Sequence, residues 1–247
     1  MELELISILI FFLVILQTIV GVGVLVLGTP LFLILEFNII ETMYYLLPLS
    51  IFTSLTNYLF LKYNKEKLQI FLDKNIKKNF IFFFLPGLSL GLFLAKEFIN
   101  VINFKLLVSL IIFISIAVKW RYESDIQNLP LNFKKLTLSL ISIIHGLTNS
   151  GGTLLTVFFS SFNKNKKNQS RYSITFYYLI LVTAQYLIFL FFFKEQLFFD
   201  YPLQLILIII PALIIGNITS KKISENFFKK IIELLALFSG LFLLLNS

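Results

Sequence analysis

The sequence predicts an all-α integral membrane protein made of two inverted repeats, each a broken-helix hairpin followed by three transmembrane helices. Three observations carry this. Hydrophobic residues fill 58% of the 247 positions and mean hydropathy is +0.91, well above the roughly half apolar content of a globular domain. Two apolar stretches are too long for one crossing, and each is interrupted by glycine and polar residues. Lys and Arg fall between apolar segments in a pattern that becomes one-sided only if at least one long stretch turns back.

Taken in order, apolar segments of membrane length fall at about 5–35, 39–61, 79–95, 101–118, 136–162, 172–193, 201–219 and 227–245, set against the ~20 residues that cross a ~30 Å hydrocarbon core. The first, 5–35, holds Gly21-Val22-Gly23 and Gly28-Thr29-Pro30 near its middle. The fifth, 136–162, holds His145-Gly-Leu-Thr-Asn-Ser-Gly-Gly-Thr153. The start, MELEL, carries two acids and no base, which is not the basic opening of a signal peptide.

The connections decide how the segments are threaded. Lys and Arg number six at 62–78, two at 96–105, four at 119–135, four at 164–171, one at 194 and four at 221–230. If all eight segments crossed once, the two sides would carry 11 and 10 basic residues, against the positive-inside rule. If the fifth segment leaves by the side it came from, 62–78, 119–135, 164–171 and 221–230 share a side, and the division becomes 18 to 3. That side is expected to be the cytoplasm, with the linker 119–135 on it and the protein multi-pass in the cytoplasmic membrane.

No base precedes the first segment, so its hairpin rests on internal repetition. Pro86 to Gly91 and Pro211 to Gly216 share the pattern P-x-x-x-x-G at an offset of 125, and an offset of 128 aligns Gly23 with Gly151, Gln17 with His145 and Asn57 with Gln185. One hairpin plus three crossings per half is an odd number of passes, so the second half starts on the opposite side from the first. Inverted repeats with interrupted helices belong to transporters, which bind substrate near the midplane. The repeats are expected at 1–120 and 132–247, with 121–131 linking them.

Irregular backbone is tolerated at membrane depth only where protein or a polar cavity covers it. Gly21, Gly23, Gly28 and Thr29 in the first hairpin, and Asn149, Ser150, Gly151, Gly152 and Thr153 in the second, are therefore candidates to present amide donors to a small anion, as half-helix N-termini do. Close helix packing is the plainer use of glycine, and it is the reading for Gly91 and Gly216. His145, the one ionisable side chain well inside an apolar segment, either carries a proton or hydrogen-bonds a hairpin carbonyl as neutral imidazole. Ser50, Thr53, Ser54 and Asn57 recur at helical spacing on the second segment, with Thr183 and Gln185 on its counterpart; they either line a pathway or bond between helices. Pro48, Pro86 and Pro211 are expected to kink their helices.

Composition closes several routes. The chain has no Cys and one His, which excludes disulfides, thiolate or polyhistidine metal centres and cysteine nucleophiles, and no cofactor is implied. The formal net charge of +8 sits in short connections, so it reads as topology and headgroup contact rather than nucleic-acid binding. A non-enzymatic transporter is expected, with a small anion and the lipid bilayer as partners. Coupling to protons or sodium and the oligomeric state stay open. The alternatives are a membrane subunit without transport activity and an intramembrane hydrolase using Ser150 with His145.

Gly21-Val-Gly23 through Pro30-Leu31, the later Gly-Gly-Thr-Leu-Leu at 151–155, and the repeated Pro86–Gly91 and Pro211–Gly216 runs together resemble the sulfite exporter TauE/SafE family of membrane proteins, over nearly the whole chain. The resemblance implies transport, in the export direction, of sulfur-containing anions such as sulfite or organosulfonates.

Overall fold

A computed structural model describes residues 2–21, 23–63, 74–126, 128–161, 167–194 and 204–247. These form ten helices and, among the described residues, no strand: α1 (Glu2–Val20), α2 (Val24–Ile34), α3 (Ile39–Tyr63), α4 (Lys74–Glu97), α5 (Phe104–Ile126), α6 (Leu131–Thr148), α7 (Gly152–Ser161), α8 (Lys167–Phe192), α9 (Gln204–Lys222) and α10 (Glu225–Leu245). Both over-long apolar stretches are helix pairs. The first breaks between Val20 and Val24 and the second between Thr148 and Gly152.

Local chemistry sets several boundaries. Asn38 Oδ1 accepts from the amides of Ile40 and Glu41, and Glu41 Oε2 accepts from the Asn38 amide. This reciprocal capping starts α3 after a short turn. Asn103 Oδ1 accepts from Leu106 N–H at the head of α5. Asn149 ends α6 in the left-handed region, φ 60°, its amide bonded to His145 O. Asn tolerates that region better than most residues. Gly21, at φ +98°, turns the chain out of α1. Pro30, Pro48, Pro86 and Pro211 lie inside α2, α3, α4 and α9.

The bundle has the surface of a membrane protein. Phe82, Phe191, Leu207 and Phe238 are each at least 68% exposed, whereas Gln17, Ser50, Ser54, Asn57, His145 and Gln185 are fully buried. An apolar exterior of this extent needs lipid or protein against it. Among the described residues, Ile39–Tyr63, Phe80–Glu97 and Asn168–Phe192 are both long and apolar enough to cross a bilayer.

Several helix contacts come in matched pairs. α1 lies along α9 and α6 along α4; α3 pairs with α8 and α5 with α10; α2 meets α10 as α7 meets α5. Small residues permit the closest of these contacts. A methyl on Gly91 would run into the backbone of Ile143, Gly146 and Leu147, and one on Gly146 into Leu88 O and Leu92 N. In the counterpart seam, a methyl on Gly216 would lie 2.7 Å from Thr18 Cβ. Gly91 and Gly216 thus serve the packing role their spacing suggests. Lys119 Nζ pairs with Glu233 Oε1 at 2.7 Å to fasten α5 to α10.

Candidate functional site

The break of the first hairpin is closed by its own side chains. Gln17, one turn before the end of α1, folds back so that Oε1 accepts from Val24 N–H at 2.9 Å, while Nε2 donates to Ser50 O at 3.1 Å and Ser54 Oγ at 2.8 Å. Gly23 makes this reversal feasible, since a methyl there would lie 2.8 Å from Gln17 N. The Tyr178 hydroxyl lies against the Leu25 amide and 3.4 Å from Ser50 Oγ. The helix start has a partner before any ligand arrives.

The second break is built alike and left open. Gly151 stacks so closely on the last turn of α6 that a methyl would sit 2.7 Å from His145 Cβ and 2.8 Å from Ile141 O. Among the described residues, no hydrogen bond engages the N–H of Gly151 or Gly152; the first regular bond of α7 is Leu155 N–H to Gly151 O. His145 stands where Gln17 stands in the first hairpin, fully buried, its ring 6.1 Å from that of Tyr178, and neither ring nitrogen has a partner among the described residues. Gln185 donates from Nε2 to His145 O and Asn149 Oδ1, leaving Oε1 buried and unpartnered. Buried polar atoms are nearly always satisfied. Here two free amides at a positive helix end and an imidazole lack partners within one short stretch, and across from them on α8 an amide oxygen does too.

The two hairpins touch here. Asn149 Nδ2 donates to Thr29 Oγ1 at 3.1 Å, and a methyl on Gly152 would lie 3.0 Å from Val26 Cγ2 and 3.1 Å from Tyr178. The second tip therefore rests on the middle of α2 rather than on the first tip. Gly28 and Thr29 are in the helix beyond the break, with Gly28 pressed against Leu46 and Leu13. Ser150 donates to Thr148 O at 3.2 Å and makes no hydrogen bond to His145, so no nucleophile and base pair is assembled. Thr153 Oγ1 bridges to Ser115 Oγ on α5 at 2.9 Å.

Of the polar residues on α3, Ser50 and Ser54 hold Gln17, Thr53 bonds its own helix at Leu49 O, and Asn57 Nδ2 donates to Thr18 O at 3.3 Å. Asn57 thereby does for the last turn of α1 what Gln185 does for that of α6. Sequence reasoning missed Arg171. It lies near the start of α8, 6% exposed, with Nη2 on Asn57 Oδ1 at 2.7 Å and Asn217 Oδ1 at 3.0 Å, and Nη1 on Ser220 Oγ at 3.1 Å. Its place among four basic residues at 164–171 made it look like part of a connection.

Helices exposing apolar side chains and burying amides, hydroxyls, a histidine and an arginine around two interrupted hairpins define an integral membrane protein with a polar interior. Among the described residues, no cluster of His, Asp or Glu could hold a metal ion. The sulfite exporter TauE/SafE family model matches residues 6–243, and the chain belongs to that family of membrane transporters, which export sulfite and related sulfur anions. No curated protein and no solved structure matches it.

Proposed function

We propose that this chain exports a small sulfur oxyanion, sulfite or an organosulfonate, by alternating access, and holds it at the start of α7. The observation that carries the reading is the group of buried, unengaged donors there: the amides of Gly151 and Gly152 and the protonated ring nitrogen of His145. The amides supply donors aligned with the helix dipole, which hold an oxyanion without a fixed cation. Neutral imidazole adds one donor and one acceptor, and Asn149 and Gln185 orient the tip through their shared hydrogen bond. Thr29 supports this from the first hairpin through its hydrogen bond with Asn149, while Gly21, Gly23, Gly28, Ser50, Thr53 and Asn57 hold the first hairpin and α3 in place.

The membrane arrangement belongs to the same proposal. The halves at 1–120 and 132–247 are inverted repeats joined by 121–131, and the reciprocal packing of α1 on α9 and α6 on α4 supports this. The connections 62–78, 119–135, 164–171 and 221–230, with their 18 basic residues, face the cytoplasm of a cell whose inner membrane the chain spans. A monovalent anion leaving a negative-inside cell gains ~2.3 kcal/mol per 100 mV. This sustains roughly fortyfold accumulation outside without a pump, so proton or sodium coupling is not required.

The test is sulfite flux in proteoliposomes under an imposed potential. Flux that rises with a voltage driving anions outward supports the proposal; sulfite and methanesulfonate flux both indifferent to voltage defeats the electrogenic mechanism.

A further inference from the structure

We propose that Arg171, strapped by Asn57, Asn217 and Ser220, is a second oxyanion site, the loading station at the end of the bundle that carries Lys62 and Lys221. The inference rests on the transport reading above but concerns residues that the second hairpin does not use.

A guanidinium has five N–H donors. Asn57 and Asn217 take two from Nη2 and Ser220 takes one from Nη1, which leaves Nε–H, buried and without a partner, and one N–H on Nη1. All three straps are neutral oxygens, and among the described residues no carboxylate pairs with this cation. Buried arginine is ordinarily paired, because an uncompensated charge away from water is unfavourable. Neutral straps fix the fork's direction while leaving its charge unspent, the arrangement suited to an oxyanion that comes and goes.

The position fits a loading role. Asn57 links Arg171 to the last turn of α1 through Thr18 O, and a methyl on Gly21 would lie 3.3 Å from Arg171 O and 2.9 Å from Thr175 Oγ1. The cation is thus joined to the first break, while the open amides are at the second. Asn217 and Lys221 lie along one side of α9, where they edge a groove against α3 that is otherwise mostly apolar, so the approach to Arg171 is along the polar end of α9 rather than through that groove. An anion drawn in by the basic end would meet Arg171 before the α7 amides.

The experiment measures sulfite flux in proteoliposomes of sorted orientation for the parent, Arg171→Lys, Arg171→Met and Asn217→Asp. Asn217→Asp sets a carboxylate beside the guanidinium, so the fold keeps its strap while the charge is neutralised internally. For Arg171→Met and Asn217→Asp, the KM for sulfite offered at the basic end is expected to rise about tenfold or more, the effect of losing a charge-assisted hydrogen bond. The KM from the opposite end should move less than about twofold, and Arg171→Lys should fall between. Equal changes from both ends, or none in Asn217→Asp with its melting temperature kept, overturn the loading site and leave the α7 site standing. Absence of sulfite flux in the parent overturns the transport reading and this inference with it. A lipid phosphate presents the same oxyanion: Arg171 dependence in pure phosphatidylcholine vesicles supports a free-anion site, and dependence appearing only with added phosphatidylglycerol overturns it. If Arg171→Met does not fold, Asn217→Asp alone decides.

Discussion

In the first hairpin the amide that opens α2 is bonded to Gln17, whose side chain also grips Ser50 and Ser54. In the second, the His145 ring occupies the matching position, 128 residues later, and has no hydrogen-bond partner among the described residues, nor do the amides of Gly151 and Gly152. The surroundings are otherwise alike: Asn57 and Gln185 each donate to a carbonyl near the end of the preceding half-helix. The difference teaches that a broken helix within a membrane is not by itself a site. Where the chain supplies its own cap the break is a structural joint, and where it withholds one, amides are left over, the ones the proposed site would use.

The largest effect should come from the seams that hold the hairpins. Gly91→Val drives a side chain into the α6 backbone and should destabilise by about 3 kcal/mol or more. Gly216→Val meets mainly the Thr18 side chain and should lose about 1–2 kcal/mol. Melting curves in detergent that rank them the other way would show that the α4–α6 seam is not the tighter one.

Next comes the cap itself. Gln17→Ala leaves the buried Val24 amide without its acceptor and Ser54 Oγ without its donor and should cost about 2–3 kcal/mol of stability. An unchanged melting temperature would mean that Gln17 closes nothing. The converse swap sharpens the contrast: His145→Gln gives the second hairpin the first one's cap. It should raise stability by about 1 kcal/mol and weaken sulfite-dependent thermal stabilisation about tenfold. A variant that binds sulfite as well as the parent would remove the α7 amides from the site.

The smallest effect is expected at Thr153→Val, which severs the hydroxyl link to Ser115 on α5. A stability loss of about 0.5–1 kcal/mol with nearly unchanged flux would mark the link as a brace. A large loss of flux would bring α5 into the binding region.

Much of this was readable from residue order. The two breaks follow from glycines inside stretches too long to cross once, and the 128-residue offset alone pairs Gln17 with His145 and Asn57 with Gln185. The same alignment did not reveal that Gln17 is a cap and His145 is not, because rotamer and reach depend on where Ser50 and Ser54 stand on α3. Gly28 and Thr29 were grouped with the first tip because they are close in sequence, yet α2 has already completed its first turn by Gly28. Arg171 escaped notice because charge at a segment end reads as a connection. Its burial arises from two other helix ends, α3 with Asn57 and α9 with Asn217 and Ser220, that converge on it only in three dimensions.

The interlocked seams bear on how such a chain is made. While the ribosome is still short of α6, the strip of Gly87 and Gly91 on α4 has no partner, and the Thr18 face of α1 likewise waits for α9 with Gly216. Insertion of the early helices must therefore precede their tight association, with the nascent bundle waiting in the lipid for its distal portion. A polypeptide severed at 127–130, between α5 and α6, should accumulate only when both fragments are synthesised in the same cell, each rescuing the other from proteolysis.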